Sequence, residues 1–370
     1  MKTDVAVVGG GVAGLAAALE AAQAGAQVHL IDEGPRPGGQ LFKQIHKFFG
    51  SRRHYAGTRG ITLGRRLVAD AEAQGVHLLL NAYVFTMTGT TLGLMGTAGG
   101  GQWLAARAVI LCCGASEKGL LFPGWTLPGV MGAGAAQTLL NVHRVRPGRR
   151  FLMVGAGNVG LVVAYQILQA GADVVAVVEA LPHVGGWGVH AAKLRRCGVP
   201  LLTATTVARA HGRSRVEAAT LTALDDHFQP IAGTARDLDV DVICLAVGLK
   251  PNIELPLLAG CDTLVQEALG GRVPLHDANM ETTQENVYVA GDGAGVEEAS
   301  TALESGRLAG AAAAERLGYL PRDAADNVKA EIRDALAELR GGPFGAARRH
   351  AKAALIHHAQ AHRCGGGAHA

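Results

Sequence analysis

The chain contains the same strand, glycine turn, helix and strand twice, and this repeated pattern restricts the folds open to it. The first copy reads DVAVVGGGVAGLAAALEAAQAGAQVHLID, with glycines at Gly9, Gly11 and Gly14. Glycines at this spacing permit a tight turn, a close backbone approach to a pyrophosphate and close helix–strand packing, while the helix N-terminus offers free amides. Asp32 ends the second strand, where a carboxylate can accept ribose hydrogen bonds, and Glu33 is the alternative. We therefore predict a nucleotide site.

The second copy lies in the middle of the chain and reads RFLMVGAGNVGLVVAYQILQAGADVVAVVE. Gly155, Gly157 and Gly160 occupy the glycine positions, and Glu179 closes the second strand. The residues that follow, ALPHVGG, include no arginine to hold a 2′-phosphate, which favours NAD over NADP at an occupied site. The alternative is a decayed repeat that binds nothing.

A third element lies closer to the end of the chain, in TTQENVYVAGDGAGVEEASTALESGRLAG. A predicted strand over 287–290 delivers Gly291 and Asp292 to the start of a helix, which would present an acid and free amides to one ligand. The alternative is an ordinary helix start with an acidic first turn.

Length and composition agree with two domains of α/β type. The chain has 370 residues, of which 49% are apolar and only 4% aromatic, and this favours helices of small residues packed on sheets. The net charge of +3 is too small to indicate nucleic acid or a membrane surface as a partner. No apolar run approaches the roughly 18 residues of a membrane span. The first strand starts too early for a secretory signal, so we expect a cytoplasmic protein with six thiols.

Taken together, these motifs resemble the two-dinucleotide-binding-domain flavoproteins, the pyridine nucleotide-disulfide oxidoreductase superfamily in its thioredoxin reductase-like form. The resemblance covers residues 1–320 and rests on GGGVAG, PGGQL, LCCGAS, GAGNVG, LAVGLKPN and TTQENVYVAGD. It implies FAD as the cofactor, with NAD(H) as a second ligand. By motif position, it assigns FAD contacts to Gly9, Gly11, Gly14, Asp32 or Glu33, Gly39, Gln40, Gly114, Gly291 and Asp292.

The same resemblance implies the domain organisation. The α/β fold consists of an FAD-binding Rossmann-like domain with an inserted NAD(P)-type Rossmann-like domain, followed by a helical C-terminal tail. We predict the FAD domain at 1–115 and 252–325, the inserted domain at 116–251 and the tail at 326–370.

The tail lies outside the resemblance. It contains two predicted helices separated by GGPFG, because Gly-Gly and Pro interrupt helical propagation. His358, His362 and Cys364 lie near one another in sequence but form no rigid ligand set, so we predict no metal site.

Two adjacent cysteines, Cys112 and Cys113, end an apolar strand in AVILCCGA. Successive strand side chains point to opposite faces, and bridging neighbours distorts the backbone, so we predict a packing role. Reductases of this superfamily carry Cys-x-x-Cys before the second glycine motif or a cysteine pair after the first Gly-Gly, and neither occurs here. We predict an FAD-dependent oxidoreductase that is not a dithiol disulfide reductase.

The segment LFPGWTLPGVMGAGAAQTLL resembles a smaller group, which contains the FAD subunits of heteromeric opine and sarcosine oxidases, hydrogen cyanide synthase and amino-acid dehydrogenases. The resemblance implies partnership with a second FAD-containing oxidase subunit, which oxidises an amine or amino acid, and with a [2Fe-2S] centre. Since Cys364 is the lone C-terminal cysteine, that centre would belong to a separate protein. We predict an electron-transferring flavoprotein subunit. The alternatives are a stand-alone NADH-dependent flavin reductase and a non-catalytic nucleotide-binding assembly subunit.

The stretch 34–69 contains no acid and carries many bases. We predict a docking surface or an anion pocket, and the alternative is a solvated loop and helix face. Gln40, Lys43 and His46 are the candidates for catalytic residues near the reactive ring. The basic and aromatic residues of the stretch are Arg36, Lys43, His46, Lys47, Phe48, Phe49, Arg52, Arg53, His54, Tyr55, Arg59, Arg65 and Arg66.

Overall fold

The computed structural model describes residues 1–48, 50–96 and 99–365 and divides the chain into two compact units. Unit 1 consists of Met1–Ser116 and Leu249–Ala370, and unit 2 of Glu117–Gly248. Each unit has its own mainly parallel sheet and its own hydrophobic core. The predicted α/β fold with a second, inserted Rossmann-like domain is confirmed.

A seven-stranded sheet forms the centre of unit 1. The strands of this unit are β1 (Lys2–Val8), β2 (Val28–Asp32), β3 (His77–Leu80), β4 (Ala82–Thr88), β5 (Thr91–Gly96), β6 (Gly101–Leu111), β7 (Ala115–Glu117), β16 (Leu249–Pro251), β17 (Thr263–Gln266), β18 (Gly271–Pro274) and β19 (Val287–Val289). The sheet order is β3-β2-β1-β6-β5-β4, with β19 parallel to the end of β6 and with β4, β5 and β6 antiparallel. β17 pairs with β18, and β7 with β16. From Val5 to Val8, β1 is a continuous apolar run whose residues are all buried, because both faces of the strand are covered there.

Two long helices of unit 1 approach each other very closely. The helices of this unit are α1 (Val12–Gln23), α2 (Gly60–Ala73), α6 (Glu254–Leu258), α7 (Ala299–Arg316), α8 (Arg322–Leu339) and α9 (Gly342–Gly365). A Cβ atom at Gly306 would lie 2.1 Å from the carbonyl oxygen of Ala13, and one at Gly310 would lie 2.4 Å from that of Ala17. These contacts between backbones hold α7, and the turn before it, against the start of α1.

Unit 2 repeats the architecture on a smaller scale. Its strands and helices are β8 (Val130–Gly132), α3 (Ala133–Thr138), β9 (Arg150–Val154), α4 (Asn158–Gln169), β10 (Asp173–Val178), α5 (Gly188–Arg196), β11 (Leu201–Leu202), β12 (Thr205–His211), β13 (Ala218–Ala223), β14 (Arg236–Asp239) and β15 (Val242–Leu245). A five-stranded parallel sheet has the order β11-β10-β9-β15-β8, and β12, β13 and β14 form an antiparallel sheet. The order β10-β9-β15 matches β2-β1-β6 of unit 1.

The C-terminal residues fold onto unit 1. Ala351, Leu355 and Ala359 of α9 pack against Leu269 and neighbouring apolar side chains. We predicted that the whole GGPFG segment separates the last two helices. Its extent is wrong, because α9 already begins at Gly342, within that segment. A proline in the first turn of a helix loses no hydrogen bond. The side chains of His362 and Cys364 lie outside the described residues. No described helix is both long and apolar enough to cross a membrane.

Candidate functional site

The glycine turn after β1 is built from backbone contacts that only glycine allows. Gly9 has a φ of +100°, in the left-handed region, and a Cβ there would lie 2.3 Å from the carbonyl oxygen of Cys112. A Cβ at Gly14 would lie 1.8 Å from the carbonyl oxygen of Gly9. The turn is therefore pressed between the end of β6 and the first turn of α1.

Gly11 differs from these two glycines because the space beside it is open. No heavy atom of a described residue beyond its chain neighbours lies within 4 Å of the position that a Cβ would take there. Gly11 is also the N-cap of α1, and no side chain caps the free amides. An open position beside uncapped amides at a helix N-terminus fits a pyrophosphate.

Asp32 joins the end of β2 to this turn. One carboxylate oxygen accepts a hydrogen bond from the Gly10 N–H at 2.6 Å, and the other accepts one from the Gly34 N–H at 2.8 Å. Glu33 is exposed, and among the described residues no N–H donor is bonded to its carboxylate. Of the two predicted acids, Asp32 is therefore the one that the structure places at the turn.

The PGGQL motif crosses over the same turn. The Gly38 N–H donates to the carbonyl oxygen of Gly10 at 2.6 Å, and a Cβ at Gly39 would lie 3.0 Å from the Cα of Gly11. Gln40 follows, exposed, in the 3-10 turn Gly39–Lys43. The structure thus brings Gly39 and Gln40 to the glycine turn.

The other two catalytic candidates lie further along the chain. Lys43 ends the 3-10 turn and is half-buried. His46 is half-buried as well, with its ring centroid 6.2 Å from that of Phe48. The catalytic roles of Gln40, Lys43 and His46 stay predictions.

Asp292 reaches the site from the far end of the sequence. It lies in a short turn, Gly291–Ala294, directly after β19. A Cβ at Gly291 would lie 2.8 Å from the Cβ of Ala13, and one at Gly293 would lie 3.6 Å from the carbonyl oxygen of Gly114. The first and last segments of unit 1 therefore meet at the start of α1, together with Gly114.

The carboxyl group of Asp292 is held in a poorly solvated position. Burial raises its pKa to about 6, although a hydrogen bond from the Glu297 N–H, at 3.2 Å, acts in the opposite direction. A carboxylate that is costly to ionise gains from a ligand hydroxyl that donates to it.

The sequence interpretation missed a group of charged residues behind Asp292. Arg340, the C-cap residue of α8, donates two hydrogen bonds, of 2.8 and 2.7 Å, to the carboxylate of Glu297. Lys352 of α9 donates to the carbonyl oxygen of Ala294 at 2.6 Å. No sequence motif marks these residues, because they lie 43 and 58 positions away from their partners.

Unit 2 contains a second turn with the same construction. Gly155 has a φ of +105°, and a Cβ there would lie 2.3 Å from the carbonyl oxygen of Ala246. The space beside Gly157 is open to 4 Å with respect to described residues outside its chain neighbours. Glu179 accepts from the Ala156 N–H at 2.8 Å and from the Leu181 N–H at 3.1 Å.

The second turn also has a crossing glycine pair that was not predicted. The Gly186 N–H donates to the carbonyl oxygen of Ala156 at 2.9 Å, as Gly38 does to Gly10 in unit 1. A signal for it exists in the sequence, since a Gly-Gly pair starts six residues after the acid in both units. A Cβ at Gly160 would lie 2.1 Å from the Gly155 carbonyl oxygen, which completes the correspondence.

The adjacent cysteines contribute backbone rather than thiol chemistry to this site. Cys112 is 6% exposed, and its carbonyl oxygen packs on Gly9. Burial raises the pKa of Cys112 far above its ordinary value and that of Cys113 to about 12. Both are free thiols, and at neutral pH both are protonated and poor nucleophiles.

Much of the positive charge in the stretch 34–69 is engaged within the protein. Arg36 stacks over the ring of Phe42, at 4.2 Å from its centroid, and Arg53 pairs with Glu331 at 2.7 Å. His54 is buried and bonded to Glu304 at 3.0 Å. The exposed bases for which the described residues show no ion pair include Arg52, Arg59 and Arg65, whereas Phe49 lies outside the described residues.

These features define a class of protein: an α/β protein with two nucleotide-type turns, one of which meets an acid-bearing turn from a distant segment. Residues 3–306 match the pyridine nucleotide-disulphide oxidoreductase family, and the chain belongs to this family.

Three known proteins are similar to this chain, the first in sequence and the other two in fold. An opine oxidase subunit from Agrobacterium tumefaciens (strain Ach5) is 30% identical over 359 residues, which cover 92% of this chain and 71% of that protein. L-proline dehydrogenase from P. horikoshii has a similar structure, with a TM-score of 0.69 and 22% identity over 91% of this chain and 59% of that one. Thioredoxin reductase from T. acidophilum has a TM-score of 0.69 and 19% identity over 85% of this chain and 98% of that one. The predicted thioredoxin reductase-like form is confirmed.

The family implies FAD as the cofactor, with pyridine nucleotide binding also a property of the family, so the predicted cofactors are confirmed at that level. The residues of unit 1 fit FAD. The open position at Gly11 lies beside uncapped helix amides, Asp32 accepts a hydrogen bond from the Gly10 N–H of the turn, and Asp292 follows Gly291, which packs on Ala13 at the start of α1.

Proposed function

We propose that this chain is the FAD-carrying, electron-transferring subunit of a multi-component dehydrogenase or oxidase that acts on an amine or amino acid. The observation that carries the proposal is the meeting of the Asp292 turn with the start of α1, next to Cys112, which is buried, and Cys113, which is half-buried. When bound, FAD supplies hydride acceptance and the onward transfer of electrons. The chain itself supplies the binding groups.

Each binding group has a distinct role in this proposal. The amides at the start of α1 hold the pyrophosphate, and the open space at Gly11 admits it. Asp32 accepts hydrogen bonds from the ribose, and Asp292 accepts one from a hydroxyl of the ribityl chain. Gln40 lies beside the turn and orients the ring.

The same proposal excludes disulfide reduction as the activity. A reductase dithiol needs an accessible thiolate, whereas the pKa of Cys113 is raised to about 12 and Cys112 is buried. Among the described cysteines, Cys244 and Cys261 are buried too, and Cys197 is exposed in unit 2. None of these lies in a Cys-x-x-Cys motif.

The opine oxidase relative supports the subunit role, because it is itself a named subunit and this chain spans 71% of its length. We propose two partners, a separate [2Fe-2S] protein and a second FAD-containing oxidase subunit, and we propose the cytoplasm as the location. The exposed Arg52, Arg59 and Arg65 in the stretch 34–69 would serve as the docking charges.

A test compares the purified chain alone with the chain plus an amine and the partner oxidase. The subunit proposal expects the flavin absorbance to fall only when the partner and amine are present. Rapid loss of flavin absorbance with NADH alone would instead establish a self-sufficient NADH-dependent reductase. If the purified chain never retains FAD, the remaining interpretation is a non-catalytic nucleotide-binding assembly subunit.

The NADH-dependent reductase is a second candidate because the turn of unit 2 is intact. Its open Gly157 and its Glu179 contacts repeat those of the FAD turn. The variant Gly157→Val is the matched control. If NADH bleaches the native chain but not this variant, the second candidate is correct.

A further inference from the structure

The C-terminal helix α9 brings a lysine into the interior of unit 1. Lys352 is 4% exposed, on the same helix face as Ala351, Leu355 and Ala359, which pack on the core. Removing an ammonium group from water costs several kcal/mol unless partners compensate. An apolar residue would pack at this position without that free-energy cost. We therefore expect the buried lysine to have a specific role.

The contacts of Lys352 lead directly to the turn that carries Asp292. Its Nζ donates to the carbonyl oxygen of Ala294 at 2.6 Å and lies 3.4 Å from Nε2 of His276. Ala294 and Asp292 belong to the same four-residue turn. Burial lowers the pKa of Lys352 to about 8, while attraction to Glu297 and Asp292 opposes that effect. The ammonium form therefore predominates at neutral pH.

Three other basic side chains lie around the turn, and each contributes less positive charge to Asp292 than Lys352 does. Arg340 is bonded to Glu297 through both carboxylate oxygens. Burial lowers the pKa of His276 to about 3, so its ring is neutral. Arg348 of α9 also attracts Asp292, but more weakly than Lys352 does. Lys352 is thus the main cation that favours the ionised form of Asp292.

We propose that Lys352 is a positioning residue of the FAD site: it fixes the Gly291–Ala294 turn and keeps Asp292 in the carboxylate form that accepts a ribityl hydroxyl. This inference rests on the proposed assignment of Asp292 to the flavin. Lys352 and the helix α9 that carries it lie beyond residues 3–306, the part that matches the family.

The test uses Lys352→Met, which keeps the length of the side chain but removes its charge, in the full chain. The matched control is Lys329→Met, because Lys329 is also a buried lysine of unit 1, on α8, but pairs with Glu315 and Asp326. The readouts are the FAD dissociation constant between pH 5 and pH 9, from flavin fluorescence on reconstitution, and unfolding of the apoprotein by urea.

We expect Lys352→Met to weaken FAD binding about tenfold at pH 7 and to move its acid-side midpoint up by about one pH unit, since Asp292 loses a nearby cation. The native chain should also lose affinity as pH rises through the pKa of Lys352, and the variant should not. Lys329→Met should destabilise the apoprotein without changing the pH dependence of FAD binding on either the acid or the alkaline side. Equal loss of FAD affinity in the two variants, with no change in the pH profile, would overturn the proposal.

Two further variants keep the outcomes separate. Lys352→Arg retains the charge and should restore the acid-side midpoint while it abolishes the alkaline decline. Asp292→Asn tests the assignment beneath the inference: if it binds FAD as the native chain does, that assignment and the role of Lys352 are both wrong. If Asp292→Asn loses FAD and Lys352→Met does not, only the role of Lys352 is wrong.

Discussion

The two glycine turns, at Gly9–Gly14 in unit 1 and at Gly155–Gly160 in unit 2, reach the same geometry with different side chains. In each, the first glycine packs on a strand-end carbonyl, of Cys112 or of Ala246, at the same 2.3 Å for an added Cβ. In each, the acid at the end of the second strand holds the turn by a backbone N–H. The repeated structure therefore needs the glycine pattern, the acid that follows it and a neighbouring strand whose end carbonyl packs on the turn.

The difference between the turns lies in what reaches them from elsewhere. The turn of unit 1 receives Asp292 from a segment nearly 280 residues away in sequence, and α9 supports that segment. In unit 2 the strand that lies parallel to β15, as β19 lies parallel to β6, is β8, and the residues that follow it, AGAA, include no acid. The comparison teaches that a local motif supplies a nucleotide turn, whereas a distant segment makes one of the two turns suited to a flavin.

The largest expected effect concerns the glycine that packs on its own turn. Gly14→Ala places a Cβ 1.8 Å from the Gly9 carbonyl oxygen, and Gly160→Ala places one 2.1 Å from that of Gly155. Because backbone must shift in both cases, each variant should lose about 3 kcal/mol of unfolding free energy. Denaturant unfolding of the two variants measures this. A variant as stable as the native chain would show that the turns are not close-packed.

The next effect separates the two ligands. Gly11→Val and Gly157→Val each fill an open space, so folding should change little. Gly11→Val should weaken FAD binding about 100-fold, or about 2.7 kcal/mol, because the side chain blocks the approach of the pyrophosphate. Gly157→Val should leave FAD binding unchanged and weaken that of NADH. Titration with each ligand checks both, and FAD loss in the unit 2 variant would contradict the assignment of the two turns.

A smaller effect follows from the raised pKa of Asp292. Its pKa is about 6 in the folded chain and 3.8 ordinarily, so its contribution to apoprotein stability is present below pH 4 and is lost as the pH rises through 6. Asp292→Asn removes this titration and should make the apoprotein about 1–2 kcal/mol more stable than the native one at pH 8. Urea unfolding at pH 4 and pH 8 measures the difference. Parallel stability profiles would contradict it.

The smallest effect makes the two turns more alike. Cys112→Ala gives unit 1 the residue that unit 2 has at Ala246, and only a buried sulfur is lost. We expect a cost of about 1 kcal/mol or less, with FAD binding intact. The native thiols of Cys112 and Cys113 should also resist a thiol reagent at pH 8, because both pKa values are raised by burial. Fast labelling of Cys113 in the folded chain would reopen a dithiol role.

Prediction from the sequence worked where one short segment builds one feature. The glycine turns and the packing role of Cys112 depend on backbone contacts within a βα unit and its neighbouring strand, whereas the sequence left Asp32 and Glu33 as alternatives. Prediction was less complete for the C-terminal residues. The helix α8 ends at Leu339, before GGPFG, but α9 begins within that segment at Gly342, because glycine and proline are tolerated at a helix start.

The sequence by itself determined the fold class, the two nucleotide turns and the family, since periodicity and glycine spacing are local and act through the backbone. Only the tertiary structure decided that Glu297, Arg340 and Lys352 surround Asp292. Charge and burial act through space, over side chains that the sequence separates by tens of residues. No local pattern can therefore predict which lysine of a helical segment will be buried beside a carboxylate.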